Sequence, residues 1–274
     1  MMVNPKVSVI MGVYNCEATL AAAIDSILHQ TYPHWELVMC DDGSTDGTYA
    51  LAEKYQREHP EKIVLLKNEQ NRKLSYTLNR CLKAATGELV ARMDADDISH
   101  PDRFEKQVRY LQEHPDIQLV GTAMRCFDEN GFHGEMHPPV QPDSKALISS
   151  TPFFHATIMT YKRVYDALGG YSLEKRAERV EDIDLWFRFF AHRFSGQNME
   201  EALYDVREDL SAIKRRTLQA RINSIRTRAA GYRLLGFPMY LLIRPAVILF
   251  AKGLVPPHIA SYIRKVKAKR RMKA

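Results

Sequence analysis

Three carboxylates crowd into four positions of the string Met93-Asp94-Ala95-Asp96-Asp97. Like charges at one strand end repel unless a cation or hydrogen-bond donors neutralise them. An oxygen-only ligand set suits Mg2+ or Mn2+, and Mg2+ is commonly held by one or two carboxylates together with substrate phosphates. A solvated acidic turn capping the next helix explains the same residues without any chemistry. Asp41-Asp42-Gly43-Ser44-Thr45-Asp46 is ambiguous in the same way. Residues 44–46 have the composition of a helix N-cap, whereas Asp42, at a strand end, can accept a hydrogen bond from the N–H of a nucleobase. A third acidic pair, Glu181-Asp182, precedes the helical pattern of Leu185, Trp186 and Phe189, where capping again suffices.

Alternating strand and helix patterns must position these strings. Val7-Ser8-Val9-Ile10-Met11 is a β-rich apolar run ending at Gly12, and Leu20, Ala23, Ile24, Ile27 and Leu28 recur at helical spacing. Residues 36–39 read as a second strand, residues 46–58 as an amphipathic helix, and residues 63–66 as a third strand. Leu74, Leu78, Cys81, Leu82 and Ala85 mark a third helix, and residues 88–93 form a fourth strand ending in the acidic cluster. Strand–helix repeats with short connections predict a parallel sheet covered on both faces. Ligands of such sheets sit at the carboxyl ends of the strands. Tyr14 and Asn15, Asp41 and Asp42, and Asp94, Asp96 and Asp97 are therefore expected on one rim. Beyond residue 100 the pattern is mixed. A helix follows Pro101, antiparallel strands span 117–136 around the turn dipeptide Asn130-Gly131, and a Gly-rich loop precedes the helix near Glu181.

The ordered set VSVIMGVYN, DDGSTD, GELVARMDADD, GGY and VEDIDLWFR resembles glycosyltransferase family 2 over roughly residues 5–212. The resemblance implies the GT-A fold, a Rossmann-like α/β architecture with a mostly parallel sheet and helices on both faces. It implies inverting transfer of a hexosyl or N-acetylhexosaminyl unit from a nucleotide-sugar, a UDP-sugar being the expected donor. Carried onto this chain, it assigns Val13 and Tyr14 to the base pocket, Asp42 to the base edge and Asp94 to the ribose side. Asp96, with Asp97 as a second contributor, would bind the Mg2+ or Mn2+ that bridges the diphosphate. Asp182 would be the general base, with Glu181 supporting it or touching the acceptor. His155 and Gly170-Tyr171 fall on the acceptor side, although His155 is equally readable as a hydrogen-bonded core histidine. Inverting transfer is a single displacement: one carboxylate takes the acceptor's proton while the diphosphate leaves from the opposite face, and a metal offsets the charge on the leaving group.

Two departures from the family pattern stand out. A glycine usually follows the asparagine near position 71, where this chain has Arg72-Lys73-Leu74, so that a cation, Arg72 foremost, can meet the donor's phosphates. Asp209 occupies the histidine position of the family's Arg-x-His, and the QxxRW string of processive synthases is absent, which favours addition of a single sugar. Two other classes share the acidic rim or the basic tail. One is a metal-dependent nucleotidyltransferase or phosphohydrolase, and the other is a non-catalytic scaffold binding membrane or nucleic acid.

The 274 residues are 45% hydrophobic and 26% charged, enough for a buried core and inconsistent with a disordered or collagen-like chain. Cys16, Cys40, Cys81 and Cys126 are scattered without a CxxC pair, so neither a zinc site nor a disulfide frame is expected. The net charge of +6 hides an asymmetry. Residues 210–274 carry 16 Lys and Arg and no acid, leaving residues 1–209 with 23 basic and 33 acidic residues. The expected organisation is a catalytic domain over 1–212, with a nucleotide-binding half (1–100) and an acceptor half (101–212). A basic helical appendage over 213–274 follows. In that appendage the apolar runs are interrupted by Arg244-Pro245 and Lys252-Gly253, too short for a spanning helix. Ile259, Tyr262, Ile263 and Val266 share a helical face with cations opposite, the pattern of a helix lying in an anionic membrane interface. The reading is a cytoplasmic enzyme, peripheral at the inner face of the cell membrane, acting on a lipid-linked glycan. Nucleic acid is not an expected partner, because the apolar segments are too continuous.

Overall fold

In the computed structural model, which describes residues 4–208 and 217–254, every residue of β1 (Val7–Val13) except Gly12 is buried. A strand covered on both faces is apolar nearly throughout, buried Ser8 meeting Glu36 of the next strand by a hydrogen bond, and side-chain alternation divides β1 between two cores. Val7, Val9, Met11 and Val13 enter one, and Ile10 enters the other. Helix α1 (Glu17–Leu28) covers the first core with Leu20, Ala23, Ile24 and Ile27, the stripe its spacing predicts. Strand β2 (Trp35–Asp41), α2 (Thr48–Glu58), β3 (Ile63–Lys67), α3 (Leu74–Ala84) and β4 (Leu89–Arg92) follow. Strands β3, β2, β1 and β4 pair in that order, all parallel. The alternating parallel strand–helix order expected of residues 1–100 is thus observed, with element ends within two residues of the expected ones.

The second half extends the same sheet with mixed strand directions. Its elements are β5 (Ile98–Ser99), α4 (Arg103–Glu113), β6 (Leu119–Asp128), β7 (Gly131–Met136), α5 (Ala146–Ser149), β8 (Met159–Tyr161), α6 (Lys162–Leu168), α7 (Glu181–Ala191) and β9 (Gly196–Arg207). Strand β8 runs antiparallel to β4 and to β6, while β6 pairs parallel with β9. The expected hairpin turns at Asn130-Gly131, where Gly131 takes φ 99. Strand β5 pairs antiparallel with β9, bringing Tyr204, Asp205 and Arg207 beside the acidic loop that follows β4.

Two helices follow, α8 (Leu218–Leu235) and α9 (Ile243–Leu254). Tyr232 is fully buried and packs edge-on against Phe187 of α7 in the second core. A boundary near residue 212 therefore does not separate α8 from the core it joins. Asp209 and the amphipathic face at 259–266 lie outside the described residues.

Candidate active site at the strand ends

The rim expected at the strand ends is assembled by direct bonds between its loops. Asn15, in the left-handed region at φ 48, accepts from Thr45 N at its Oδ1 (2.9 Å) and donates its own N–H to Ser44 Oγ (3.1 Å). Those bonds tie the loop after β1 to the loop after β2. Tyr14 is 47% exposed beside them, an open aromatic face at the expected base pocket. The Val13 side chain is buried in the first core, and its backbone meets the rim, where its carbonyl accepts from Asp42 N at 2.9 Å.

Asp42 is buried at the end of β2, and its carboxylate is already engaged. Oδ1 accepts from Asn68 Nδ2 and from Arg72 N, each at 2.7 Å, and Oδ2 accepts from Lys73 N at 2.9 Å. It therefore holds the loop that carries the departure from the family pattern. Lys73 stands there at φ 73 and ψ 160, a conformation almost confined to glycine. Arg72 is exposed, its guanidinium stacked 4.5 Å over Tyr76. Asp42 Oδ1 is filled by its two donors, and Oδ2 keeps a second lone pair for a ligand.

One oxygen each from Asp94, Asp96 and Asp97 lies within 4.8 Å of the others. Asp94 pairs with the Arg92 guanidinium, which is buried at the end of β4. Asp97 Oδ1 accepts from Arg207 N at 2.8 Å, while its Oδ2 is buried with no partner among the described residues. Burial, then the charges of Asp94 and Asp96, push the Asp97 carboxyl well above the usual range. An orphaned, buried carboxylate oxygen in an all-oxygen cluster fits a hard divalent cation, which would reverse that shift by keeping the acid ionised.

Glu181 and Asp182 open α7, where the helix N-terminus favours negative charge. Burial and then the Asp182 charge lift Glu181 to about 7, and the charge of Asp94 adds to the rise. Asp182 is raised by burial as well, against the Ile183 N–H and the cations Arg228 and Arg92. Arg92 thus faces both carboxylate groups, from β4 and from α7. Sequence reasoning missed this residue, although it stands inside the string GELVARMDADD.

Two residues expected on the acceptor side, His155 and Tyr171, bond one another inside the fold. Tyr171 is 2% exposed, and its hydroxyl bonds His155 Nε2 at 2.7 Å and Tyr165 at 2.9 Å. Burial, then Arg92, holds His155 well below its ordinary pKa, so it is neutral. His155 and Tyr171 form an internal hydrogen-bonded chain, the core alternative for this histidine. Gly170, at φ 73, leaves room for Asn79 of α3, whose Oδ1 would lie 2.5 Å from an added Cβ. Asn79 brackets Tyr171 by accepting from its N–H (2.7 Å) and donating to its carbonyl (2.8 Å). The glycine therefore joins the two halves of the domain. Asp184 takes Arg176 and Arg188, and Arg188 donates to the Gly170 carbonyl at 2.8 Å.

Residues 8–177 match the family described as Glycosyl transferase family 2. The chain belongs to this family. The Bacillus subtilis protein EpsE, assigned to the glycosyltransferases, is 50% identical over 221 residues, 81% of this chain and 80% of that protein. The O-antigen biosynthesis glycosyltransferase WbnJ of Escherichia coli is 33% identical over 205 residues, 73% of this chain and 79% of that one. Two solved structures share the fold. S. aureus TarS 1-349 with UDP-GlcNAc has a TM-score of 0.66 at 19% identity, over 89% of this chain and 71% of that one. The Pyrobaculum calidifontis mannosyltransferase PcManGT with GDP-Man and Mn2+ has a TM-score of 0.66 at 20% identity, over 97% of this chain and 81% of that one. The fold is therefore GT-A, as the sequence motifs implied.

Proposed function

We propose that this glycosyltransferase moves one sugar from a UDP-sugar, with inversion, onto a lipid-linked glycan during assembly of a cell-surface polysaccharide. The reading rests on one observation above all: the Asp94–Asp96–Asp97 cluster and the Glu181–Asp182 pair share the buried Arg92, and Asp94's charge reaches Glu181. Asp94, Asp96 and Asp97 would hold a divalent cation, Mg2+ or Mn2+, which when bound offsets the charge of the departing diphosphate. Tyr14 would offer a face for the base and Asp42 an acceptor for its N–H, and Arg72, an exposed cation on the loop that Asp42 holds, would meet the phosphates. Asp182 takes the proton of the acceptor hydroxyl, whose oxygen then attacks the anomeric carbon from the face opposite the diphosphate. Glu181, lifted to about 7, alternates between accepting and donating a hydrogen bond near neutrality, which suits a group orienting that hydroxyl.

Support for a saccharide acceptor comes from WbnJ, whose name places it in O-antigen biosynthesis, and from the amylovoran biosynthesis enzyme AmsE of Erwinia amylovora, 30% identical over 214 residues. Support for a membrane-borne acceptor comes from the C-terminal segment. Tyr240, Ile243, Val247 and Phe250 are each at least half exposed, within a stretch, 210–274, that has no acid. No helix among the described residues is long and apolar enough to cross a membrane. An anionic leaflet would match the charge and accept the apolar side chains.

A thermal-shift screen of nucleotide-sugars with Mn2+ or Mg2+ identifies the donor, since a ligand that binds only the folded form raises the melting temperature. UDP-sugars are expected to stabilise the protein only with metal, and Asp96→Ala to lose the effect. Turnover is expected to release UDP. Release of pyrophosphate would instead assign a nucleotidyltransferase.

A further inference from the structure

The loop that delivers Glu181 and Asp182 is strained. Arg179, two residues ahead of the pair, has φ 65, where non-glycine residues are uncommon. Such a residue persists only when its surroundings over-determine it. Here the surroundings belong to α8, which lies beyond the segment matched by the family, residues 8–177. Asn223 Nδ2 donates to the Glu178 carbonyl at 3.0 Å, and Thr227 Oγ1 donates to the Arg176 carbonyl at 2.6 Å. The adjacent Arg228 donates from Nη1 to the Leu147 carbonyl at 2.5 Å, while its Nε is buried without a partner among the described residues. One turn later Gly231 allows α8 to lie directly on α7, because an added Cβ would sit 2.1 Å from the Phe187 ring. Residues 223, 227, 228 and 231 lie on one side of the helix, and that side meets the turn, α7 and α5.

We propose that α8 is a positioning element of the active site: Asn223 and Thr227 hold the strained turn ahead of α7, and Arg228 sets a buried cation behind Asp182. The proposal rests on Asp182 being the general base. The groups facing Asp182 are Glu181 on its own helix, Arg92 at the end of β4 and Arg228 on α8. Of these, Arg228 is the cation contributed from outside the matched segment. Attraction to a cation favours the ionised acid, so loss of Arg228 raises the proton affinity of Asp182 and shifts the loss of activity to higher pH.

The test uses the full chain with Mn2+, the UDP-sugar selected by the donor screen and water as acceptor, reading UDP release against pH, with UDP affinity measured in parallel. Arg228→Gln keeps a donor for the Leu147 carbonyl but removes the charge. It is expected to lower kcat about threefold at pH 6.5 and to move the acid limb upward by about half a unit, with UDP affinity within about twofold of the parent. Arg228→Lys is expected to restore the limb. The double variant Asn223→Ala/Thr227→Val is expected to lower kcat, leave the limb in place and speed amide exchange of residues 174–183 by about tenfold. An unshifted pH limb in Arg228→Gln, or a loss of UDP binding that parallels the loss of kcat, overturns the proposal. Full activity in Asp182→Asn instead removes the base assignment beneath it, whatever Arg228 does.

Discussion

Arg92 shows how much of this site is decided by a side chain that touches no expected ligand. A buried guanidinium that pairs with Asp94 and also favours the charges of Glu181 and Asp182 offsets part of the repulsion among these acids. Removing one partner of a fully buried pair costs about 3–5 kcal/mol. Asp94 is more than a third exposed, so solvent screening reduces that figure. Arg92→Met is therefore expected to lower unfolding free energy by about 2 kcal/mol in urea melts and to weaken metal-dependent UDP binding. Titration of the Glu181–Asp182 pair supplies a second prediction at this scale. A base must be ionised, and burial has raised both acids, Glu181 to about 7. Activity should thus fall as pH drops through the range in which the coupled pair takes up a proton, above the usual carboxylate range. Glu181→Gln is expected to move the acid limb to lower pH, because the group lifted to about 7 is gone and the limb follows Asp182 alone. A limb unchanged in that variant would detach Glu181 from the reaction.

At the scale of elements, Lys73 and Gly231 make opposite predictions. Lys73 occupies a backbone conformation that costs of order 1–3 kcal/mol for a side-chain-bearing residue. Lys73→Gly removes that strain but loosens the unfolded chain by about 0.5–1 kcal/mol, so a net stabilisation of about 1 kcal/mol is expected. Gly231→Ala drives a methyl into the Phe187 ring and should destabilise by about 1–3 kcal/mol; unfolding curves check both. The parallel half of the fold was legible because its strands are continuous apolar runs and its helices carry clean apolar stripes. Helix α8 was expected as part of the basic helical appendage, but its packing on α7 was not legible, for a physical reason. The face it buries presents Asn223, Ser224, Thr227 and Gly231, with Tyr232 as its large apolar anchor. Small and polar residues give no hydrophobic period, so the arginines dominated the reading. Tyr171 misled in the opposite direction: its motif pointed to the acceptor, yet its hydroxyl closes a buried chain with His155 and Tyr165. Arg92 escaped because an arginine within an apolar strand is normally exposed.

For the whole molecule, an acidic body and a basic C-terminal segment would orient the site toward the surface that supplies its acceptor. Flotation with phosphatidylcholine vesicles, with and without about a third phosphatidylglycerol, tests that orientation. Binding is expected only to the anionic vesicles, weakened by salt, and reduced at least about tenfold in Ile243→Glu/Val247→Glu. Equal binding to both vesicle types would remove the electrostatic part of the proposal.

The most direct test of the central claim is single-turnover UDP release by Asp182→Asn, with UDP-sugar and Mn2+ binding measured on the same preparation. Expected is donor binding indistinguishable from the parent and transfer slowed by about 100- to 10,000-fold, the range a general base contributes. Transfer at the parental rate, or donor binding lost together with transfer, would contradict a site in which the α7 carboxylate serves the acceptor while the β4 cluster serves the donor.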